Sequence, residues 1–297
     1  MTKALIISNP AAARSRDTGL DAAVRRLAQG GIRADVERTE GPGHAERLAR
    51  AAVANGTDVL IAHGGDGTVM EVATALVGSG KPLGLLPAGT GNLLAGNLRI
   101  RRTPRAAADV ILAGHVRAVD LGQLTTSAGQ RYFTVAAGAG FDAELMHRTS
   151  AEHKRTFGIG AYLATAVGLA TTLTRASVRI ETERMTVEAR AATVLVANCR
   201  DIIPGVLPLG PEIAPDDGYL DVVVLDAESL PSAAGVAWRL LLRNPHGHPG
   251  ITMFRARAVK ISADAPLPVQ ADGEACGHAP LEITIIPGGL AVLAPPA

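Results

Sequence analysis

Five consecutive residues, Gly64-Gly65-Asp66-Gly67-Thr68, have the composition of a turn that holds a metal-complexed phosphate. They join the apolar run Val59–Ala62, which reads as a buried strand, to Val69–Val77, which reads as a helix. A glycine-rich turn at a helix start exposes backbone N–H groups to an anion, and the positive end of the helix favours it further. Asp66 would repel a bare phosphate, so its presence makes sense where Mg²⁺ lies between the two. The pattern points to a nucleotide carried with its metal. Taken in isolation, the same five residues also suit a purely structural strand-to-helix turn.

A second turn of the same kind weakens that simpler reading. Pro87-Ala88-Gly89-Thr90-Gly91-Asn92 follows the strand-like Leu83–Leu86 and opens a helix at Leu93-Leu94-Ala95. Ser8-Asn9-Pro10 ends a first strand-like run. In an open parallel sheet such turns gather at the carboxyl ends of the strands, where ligands bind. Two acidic turns come later in the chain. Gln270-Ala271-Asp272-Gly273-Glu274 reads by itself as a hairpin turn, and Pro215-Asp216-Asp217-Gly218 as an exposed loop before the strand Leu220–Leu225.

The elements that position these residues divide into two blocks. Strand signals at Lys3–Ser8, Ala34–Arg38, Val59–Ala62 and Leu83–Leu86 alternate with helix signals at Thr18–Ala28, His44–Asn55, Val69–Val77 and Pro104–Ala113. That alternation predicts a Rossmann-like parallel sheet covered by helices. Beyond Val116–Leu121 short strand signals dominate: Tyr132–Ala136, Ser177–Glu181, Thr186–Glu188, Ala192–Ala197, Leu220–Leu225, Ala258–Ser262 and Leu281–Ile286. Helical stretches near Gly158–Thr172 and Ser232–Arg243 interrupt them. The expected organisation is an α/β domain over residues 1–124, an antiparallel β-sandwich over 125–290, and a final segment, 291–297, returning to the first domain.

Composition narrows the function classes. A chain of 297 residues with 47% hydrophobic and 19% charged residues buries a substantial core. A formal charge of +1 and 3% aromatic residues give no basis for nucleic-acid binding. Two cysteines, Cys199 and Cys276, form no disulfide framework and no zinc motif. The N-terminal apolar run is too short for a signal-peptide core, so the expected location is cytoplasmic.

In this order the motifs resemble those of the diacylglycerol kinase catalytic-domain superfamily, which includes bacterial soluble lipid kinases and sphingosine kinases. The resemblance runs through Asn9-Pro10, Thr39 with Gly43-His44-Ala45, Gly64–Thr68 with Glu71, Pro87–Asn92, Asp120-Leu121-Gly122, Gly138–Asp142, Pro215–Asp221 and Asp272-Gly273-Glu274. It implies an ATP- and Mg²⁺-dependent kinase acting on a lipid hydroxyl, with a nucleotide cleft between an α/β domain and a β-sandwich. The nucleotide contacts it implies are Asn9, Thr39, Gly64, Gly65, Asp66, Gly67, Thr68, Glu71, Gly89, Thr90 and Asn92. Asp66 is implied to hold the catalytic metal, and Asp272, or Glu274 through water, to take the acceptor's proton. Asp217, with the carbonyls of Ala214 and Tyr219, is implied to bind a structural divalent ion. The partners it implies are a lipid substrate, a peripheral membrane surface and a second copy of the chain as a homodimer. The charged groups His147-Arg148 and His153-Lys154-Arg155 beside the apolar 158–172 stretch read either as a solvated face or as the membrane contact.

The chain departs from the family pattern at Leu93, where many members carry an aspartate of the metal network. A leucine side chain accepts no hydrogen bond. Two other readings therefore stand beside the lipid kinase. One is an NAD kinase, which shares the GGDGT turn. The other is a catalytically weak nucleotide- or lipid-binding protein.

Overall fold

The computed structural model describes residues 2–12, 17–140, 175–203, 207–210, 212–226 and 247–296, together with 232, 235, 236 and 239. The expected helices over 158–172 and 232–243 and the charged groups at 147–155 lie wholly or mostly outside the described residues. The chain forms two compact units, one of residues 1–119 with 288–297 and one of 120–287. Borders expected after 124 and 290 are met instead at 119 and 287. Both fall inside continuous strands, which a hydropathy pattern cannot divide.

In the first unit the order is β1 (Thr2–Ser8), α1 (Asp17–Gln29), β2 (Ile32–Arg38), α2 (His44–Ala54), β3 (Val59–Gly64), α3 (Asp66–Leu76), β4 (Leu83–Pro87), α4 (Leu93–Asn97) and α5 (Pro104–Ala113). The strands pair in parallel in the order β2-β1-β3-β4. All of β3 is buried, as are the last five residues of β1. Ile6, Ile7, Leu60 and Ile61 are fully enclosed, and burial of each side chain contributes about 1.5–3 kcal/mol. Such near-continuous apolar strands are what a sheet covered on both faces requires. Thr103 precedes α5, Pro104 starts it, and Gly114, at φ 69°, ends it.

Strand β5 (Val116–Thr126) leads into the second unit, which adds β6 (Gly129–Phe133), β7 (Ala136–Gly140), β8 (Ala176–Thr182), β9 (Thr186–Ala191), β10 (Thr193–Ala197), β11 (Asp201–Ile203), β12 (Leu207–Pro208) and β13 (Leu220–Leu225). It continues with β14 (Ile251–Ala256), β15 (Ala258–Ala263), β16 (Pro268–Ala271), β17 (Glu274–His278) and the long β18 (Leu281–Leu293). One antiparallel sheet runs β14-β13-β10-β7-β16-β17, and in the other β15 lies between β8 and β18. Side chains from both, among them Val194, Val222 and Val269 with Val178, Ile261 and Ile283, share one core. This is the expected α/β plus antiparallel β-sandwich architecture. The end of β18 returns to the first unit, where Val292 pairs with Leu83.

Local outcomes in the second unit differ from the sequence expectation. The strand expected over Tyr132–Ala136 is broken at Thr134 and Val135, because their N–H groups are turned to a distant carboxylate instead of a strand partner. Strand β14 was not foreseen. Its sequence, Ile-Thr-Met-Phe-Arg-Ala, alternates only loosely, and it sits at a sheet edge with its middle residues partly exposed.

The Asp120-Leu121-Gly122 motif has a packing basis. A Cβ on Gly122 would lie 2.0 Å from the ring of Phe133, which pairs with it across β5 and β6 and is fully buried. Gly122→Ala is therefore expected to cost about 1–3 kcal/mol of stability through overpacking. The denaturant midpoint should fall with an unchanged slope, and Phe133→Leu in the same chain should recover part of the loss. An unaltered midpoint would refute this account of Gly122.

Candidate functional site

The first unit assembles its polar residues where β1, β3 and β4 end. Gly64 closes β3, Gly65 precedes α3, and Asp66 is the helix's first residue. The Pro87–Asn92 turn leaves the adjacent parallel strand, with Pro87 in register with Gly64. The N–H groups of Ala88 and Gly89 donate to the Gly64 carbonyl at 2.8 and 3.1 Å. The backbones come so close that a Cβ on Gly89 would lie 2.4 Å from the Gly65 Cα. A Cβ on Gly64 would likewise meet the Thr68 hydroxyl at 2.5 Å.

Asp66 bridges the two turns. Its Oδ2 accepts the Asn92 N–H at 2.9 Å and its Oδ1 the Leu93 N–H at 2.5 Å. Asn92 adopts φ 50° and closes its own turn, accepting from Gly89 N–H at 2.9 Å and donating to the Gly89 carbonyl at 2.7 Å. Two carbonyls of this turn, those of Thr90 and Gly91, accept from the Arg102 guanidinium at 3.4 and 2.8 Å. Arg102 carried no reading in the sequence. The only signal was its place in the arginine-rich Arg99-Ile100-Arg101-Arg102 just after the turn.

The other implied nucleotide residues lie at the same edge, several of them as builders of loops. Asn9 donates to the Thr68 hydroxyl at 3.1 Å and accepts from Ala11 N–H at 2.9 Å. Thr39 follows β2 and donates its N–H to the Ser8 carbonyl at 2.8 Å. Glu71 uses both carboxylate oxygens on Gly43 and Ala45 N–H, at 2.8 and 2.9 Å, which fixes the start of α2. His63 is buried, and its Nδ1 lies 2.8 Å from the Ser8 hydroxyl, consistent with a structural histidine.

In the second unit, Asp272 and Gly273 form the two-residue connection between β16 and β17, with φ of 46° and 86°. Both residues at positive φ mark a type I′ hairpin. The Asp272 carboxylate is held by four donors. Oδ2 accepts from the Thr134 N–H and hydroxyl at 2.7 and 2.9 Å, and Oδ1 from Val135 and Ala136 N–H at 2.9 and 3.0 Å. These four bonds fill the acceptor positions of a carboxylate. Burial pushes its pKa up, against the opposing pull of those donors. Glu274, two residues on, is exposed.

The Pro215–Asp221 turn is tied to β5. Asp120 donates its N–H to the Pro215 carbonyl at 2.7 Å and accepts from Gly218 N–H at 2.7 Å. Asp217 Oδ1 accepts from Tyr219 N–H at 3.0 Å, and its Oδ2 is in close contact with Arg255. Tyr219 lies between Arg255 and Arg257, whose guanidinium carbons are 5.0 and 4.8 Å from the ring centre. Asp221 is buried opposite Arg255 across β13 and β14, with 3.4 Å from its Oδ1 to the Arg255 Nε. Its Oδ2 is buried without a hydrogen-bond partner. Burial raises the Asp221 pKa to about 6; Arg255 opposes this, while Asp217 and Glu212 add to it. Among the described residues no trio of Asp, Glu, His and Cys side chains forms a metal cluster. A cation here would need carbonyl oxygens as well.

Comparison with known proteins follows the two units. Residues 3–124 match the family model of the diacylglycerol kinase catalytic domain, and residues 135–294 that of the YegS C-terminal NAD kinase beta sandwich-like domain. A Staphylococcus aureus diacylglycerol kinase is 29% identical over 99% of this chain and 92% of its own length. An uncharacterised Synechocystis protein is 30% identical over 81% of this chain, which spans only 55% of that protein. Among solved structures, a candidate diacylglycerol kinase from Bacillus anthracis superposes with a TM-score of 0.84 at 26% identity, covering 99% of this chain and 95% of its own. Among the described residues, no helix is long and apolar enough to cross a membrane.

The carboxylates of Asp272 and Asp221 lead to opposite stability predictions. In Asp272→Asn, the amide can turn its NH₂ toward the Thr134 hydroxyl, which can rotate to accept. The Thr134 N–H then still faces a donor, at a cost of about 1–3 kcal/mol. Thermal unfolding should show a lower midpoint, and an unchanged one would refute the four-donor arrangement. For Asp221 the folded pKa lies above the unfolded value, so the folded chain binds the extra proton. Stability should fall as pH rises from about 4 to about 6 and stay reduced above it. With a chelator present, Asp221→Asn should be more stable than wild type at pH 7 and lose that advantage near pH 4. Equal unfolding midpoints at pH 7 would contradict the burial of an ionised Asp221.

Proposed function

The chain belongs to the diacylglycerol kinase catalytic-domain superfamily, and from that premise we propose that it is a lipid kinase, transferring the γ-phosphate of ATP to a hydroxyl of diacylglycerol or a related lipid. The observation that carries this reading is the pair of glycine turns pressed together and bridged by Asp66. Phosphoryl transfer asks little covalent chemistry of a protein and much positioning and charge stabilisation. Turns without side chains at their closest point let backbone N–H groups approach phosphate oxygens. When bound, Mg²⁺ neutralises charge on the transferred phosphoryl group. Asp66 fits as its holder, directly or through water, since a carboxylate at the start of α3 offers the oxygen ligands that Mg²⁺ takes.

On the acceptor side the geometry favours a division of labour within the Asp272-Gly273-Glu274 turn. Asp272 anchors the turn through its four donors, and the exposed Glu274 accepts the proton of the lipid hydroxyl. This moves the preferred base from Asp272 to its neighbour, because a carboxylate with filled acceptor positions must break a bond before it can take a proton. A second divalent ion, held by Asp217 and the carbonyls of Ala214 and Tyr219, is supported by the oxygen-rich turn and the unpartnered Asp221 Oδ2. A diacyl acceptor places the reaction at a membrane surface.

The test is ADP release by the purified chain with Mg²⁺ and either diacylglycerol in mixed micelles or NAD as acceptor. Release with diacylglycerol and not with NAD is expected, and release with NAD alone would overturn the lipid-kinase reading. Glu274→Gln should lower kcat by about 10²–10⁴ with an unchanged unfolding midpoint. Near-wild-type turnover would remove Glu274 from this role. Leu93 brings no side-chain oxygen to Asp66, so Leu93→Asp should lower the Mg²⁺ concentration needed for half-maximal turnover. If it raises that requirement, Asp66 does not hold the metal.

A further inference from the structure

Asn198 follows β10 and is fully buried, and neither the turns nor the motifs described above use its side chain. Its Nδ2 donates to two peptide carbonyls, those of Asp120 and Thr134, both at 2.8 Å. The orientation of the amide is fixed by this pair, since the flipped amide would set an oxygen against two carbonyl oxygens. The other end, Oδ1, is buried without a partner. The backbone on either side is also engaged, with the N–H groups of Asn198 and Cys199 donating to the Val135 carbonyl at 2.8 and 3.1 Å. The Cys199 thiol adds a bond to the Thr134 carbonyl at 3.3 Å.

All of these bonds except the one to Asp120 fall on the stretch that presents donors to Asp272. Thr134 gives that carboxylate both its N–H and its hydroxyl, and the next two N–H groups complete the set. Thr134 and Val135 lie between β6 and β7 with their N–H groups turned away from the ladder, so sheet pairing does not fix their peptides. A polar side chain kept fully buried with one end unsatisfied costs free energy that a leucine or valine would avoid. A positioning role accounts for its presence.

We infer that Asn198 is a positioning residue for the proposed kinase reaction, fixing the Thr134 peptide so that residues 134–136 hold Asp272 and, through it, the Glu274 turn. The inference rests on the lipid-kinase reading for its catalytic half only. Asn198 does not touch the reacting groups. It acts through Thr134, and the same amide ties that peptide to Asp120, the residue that closes the Pro215–Gly218 turn.

The experiment combines hydrogen exchange and kinetics on the full chain, comparing wild type, Asn198→Ala, the isosteric Asn198→Asp, Asp272→Asn and the Asn198→Ala/Asp272→Asn double variant. Exchange of amides 134–136 should quicken by about tenfold in Asn198→Ala and Asp272→Asn, while amides of β13 and β3 stay protected. The double variant should be no faster than the faster single one, because one network is being cut twice. Asn198→Asp keeps the volume, replaces a donor by an acceptor, and should reproduce the local loss even if the alanine variant does not fold. In the kinetic arm, kcat should fall about tenfold or more, with KM for ATP within about twofold. Unchanged exchange at 134–136, an equal rise throughout the second unit, additive effects in the double variant, or unchanged kcat despite local loosening would each overturn the inference. If wild type phosphorylates no lipid, the lipid-kinase reading fails, and exchange alone decides whether Asn198 holds the Asp272 shell.

Discussion

The carboxylate of Asp66 accepts two peptide N–H groups from a neighbouring turn, and that interaction makes two separate strand-to-helix connections into one surface. The residue choices around it follow. Gly89 must lack a side chain because the Gly65 backbone occupies its place, and a Cβ on Gly91 would lie 2.6 Å from Asp66 Oδ2. Asn92 takes a left-handed conformation so that its amide can close the turn while its N–H reaches Asp66. The buried strands beneath supply the register that brings Gly64 beside Pro87. Without the carboxylate, two N–H groups of the Asn92-Leu93 segment would lose their acceptor.

The second unit uses the same device around its turns. Asp272 gathers the peptides of residues 134–136, Asp120 gathers Gly218, and Asp217 gathers Tyr219. Short carboxylates suit this work because they reach backbone donors without a flexible stem. Asp221 is the exception. It is buried in β13, faces Arg255 at a long distance, and keeps one oxygen unpaired, so burial rather than pairing sets its acidity.

The strands of the first unit were legible because they are buried on both faces, so their apolar runs stand out without any pairing information. The glycine turns were legible because their residue types serve one local purpose. The break at Thr134-Val135 was not, since it depends on an aspartate 138 residues later in the chain. The role of Asn198 was hidden for the same reason, its two carbonyl partners lying 78 and 64 residues away. The resemblance to the kinase family implied Asp272 first as the base. The exposed Glu274 became the better choice only when the donors around Asp272 were seen in space. Borders inside β5 and β18 escaped the sequence because a strand that serves two units has one continuous pattern.

Mass spectrometry of the lipid phase tests the central claim most directly, after incubation of the purified chain with ATP, Mg²⁺ and a total lipid extract. The account predicts a lipid phosphomonoester that forms with wild type and is lost with Glu274→Gln. An extract in which no lipid gains phosphate, while the chain still binds ATP and Mg²⁺, would contradict it.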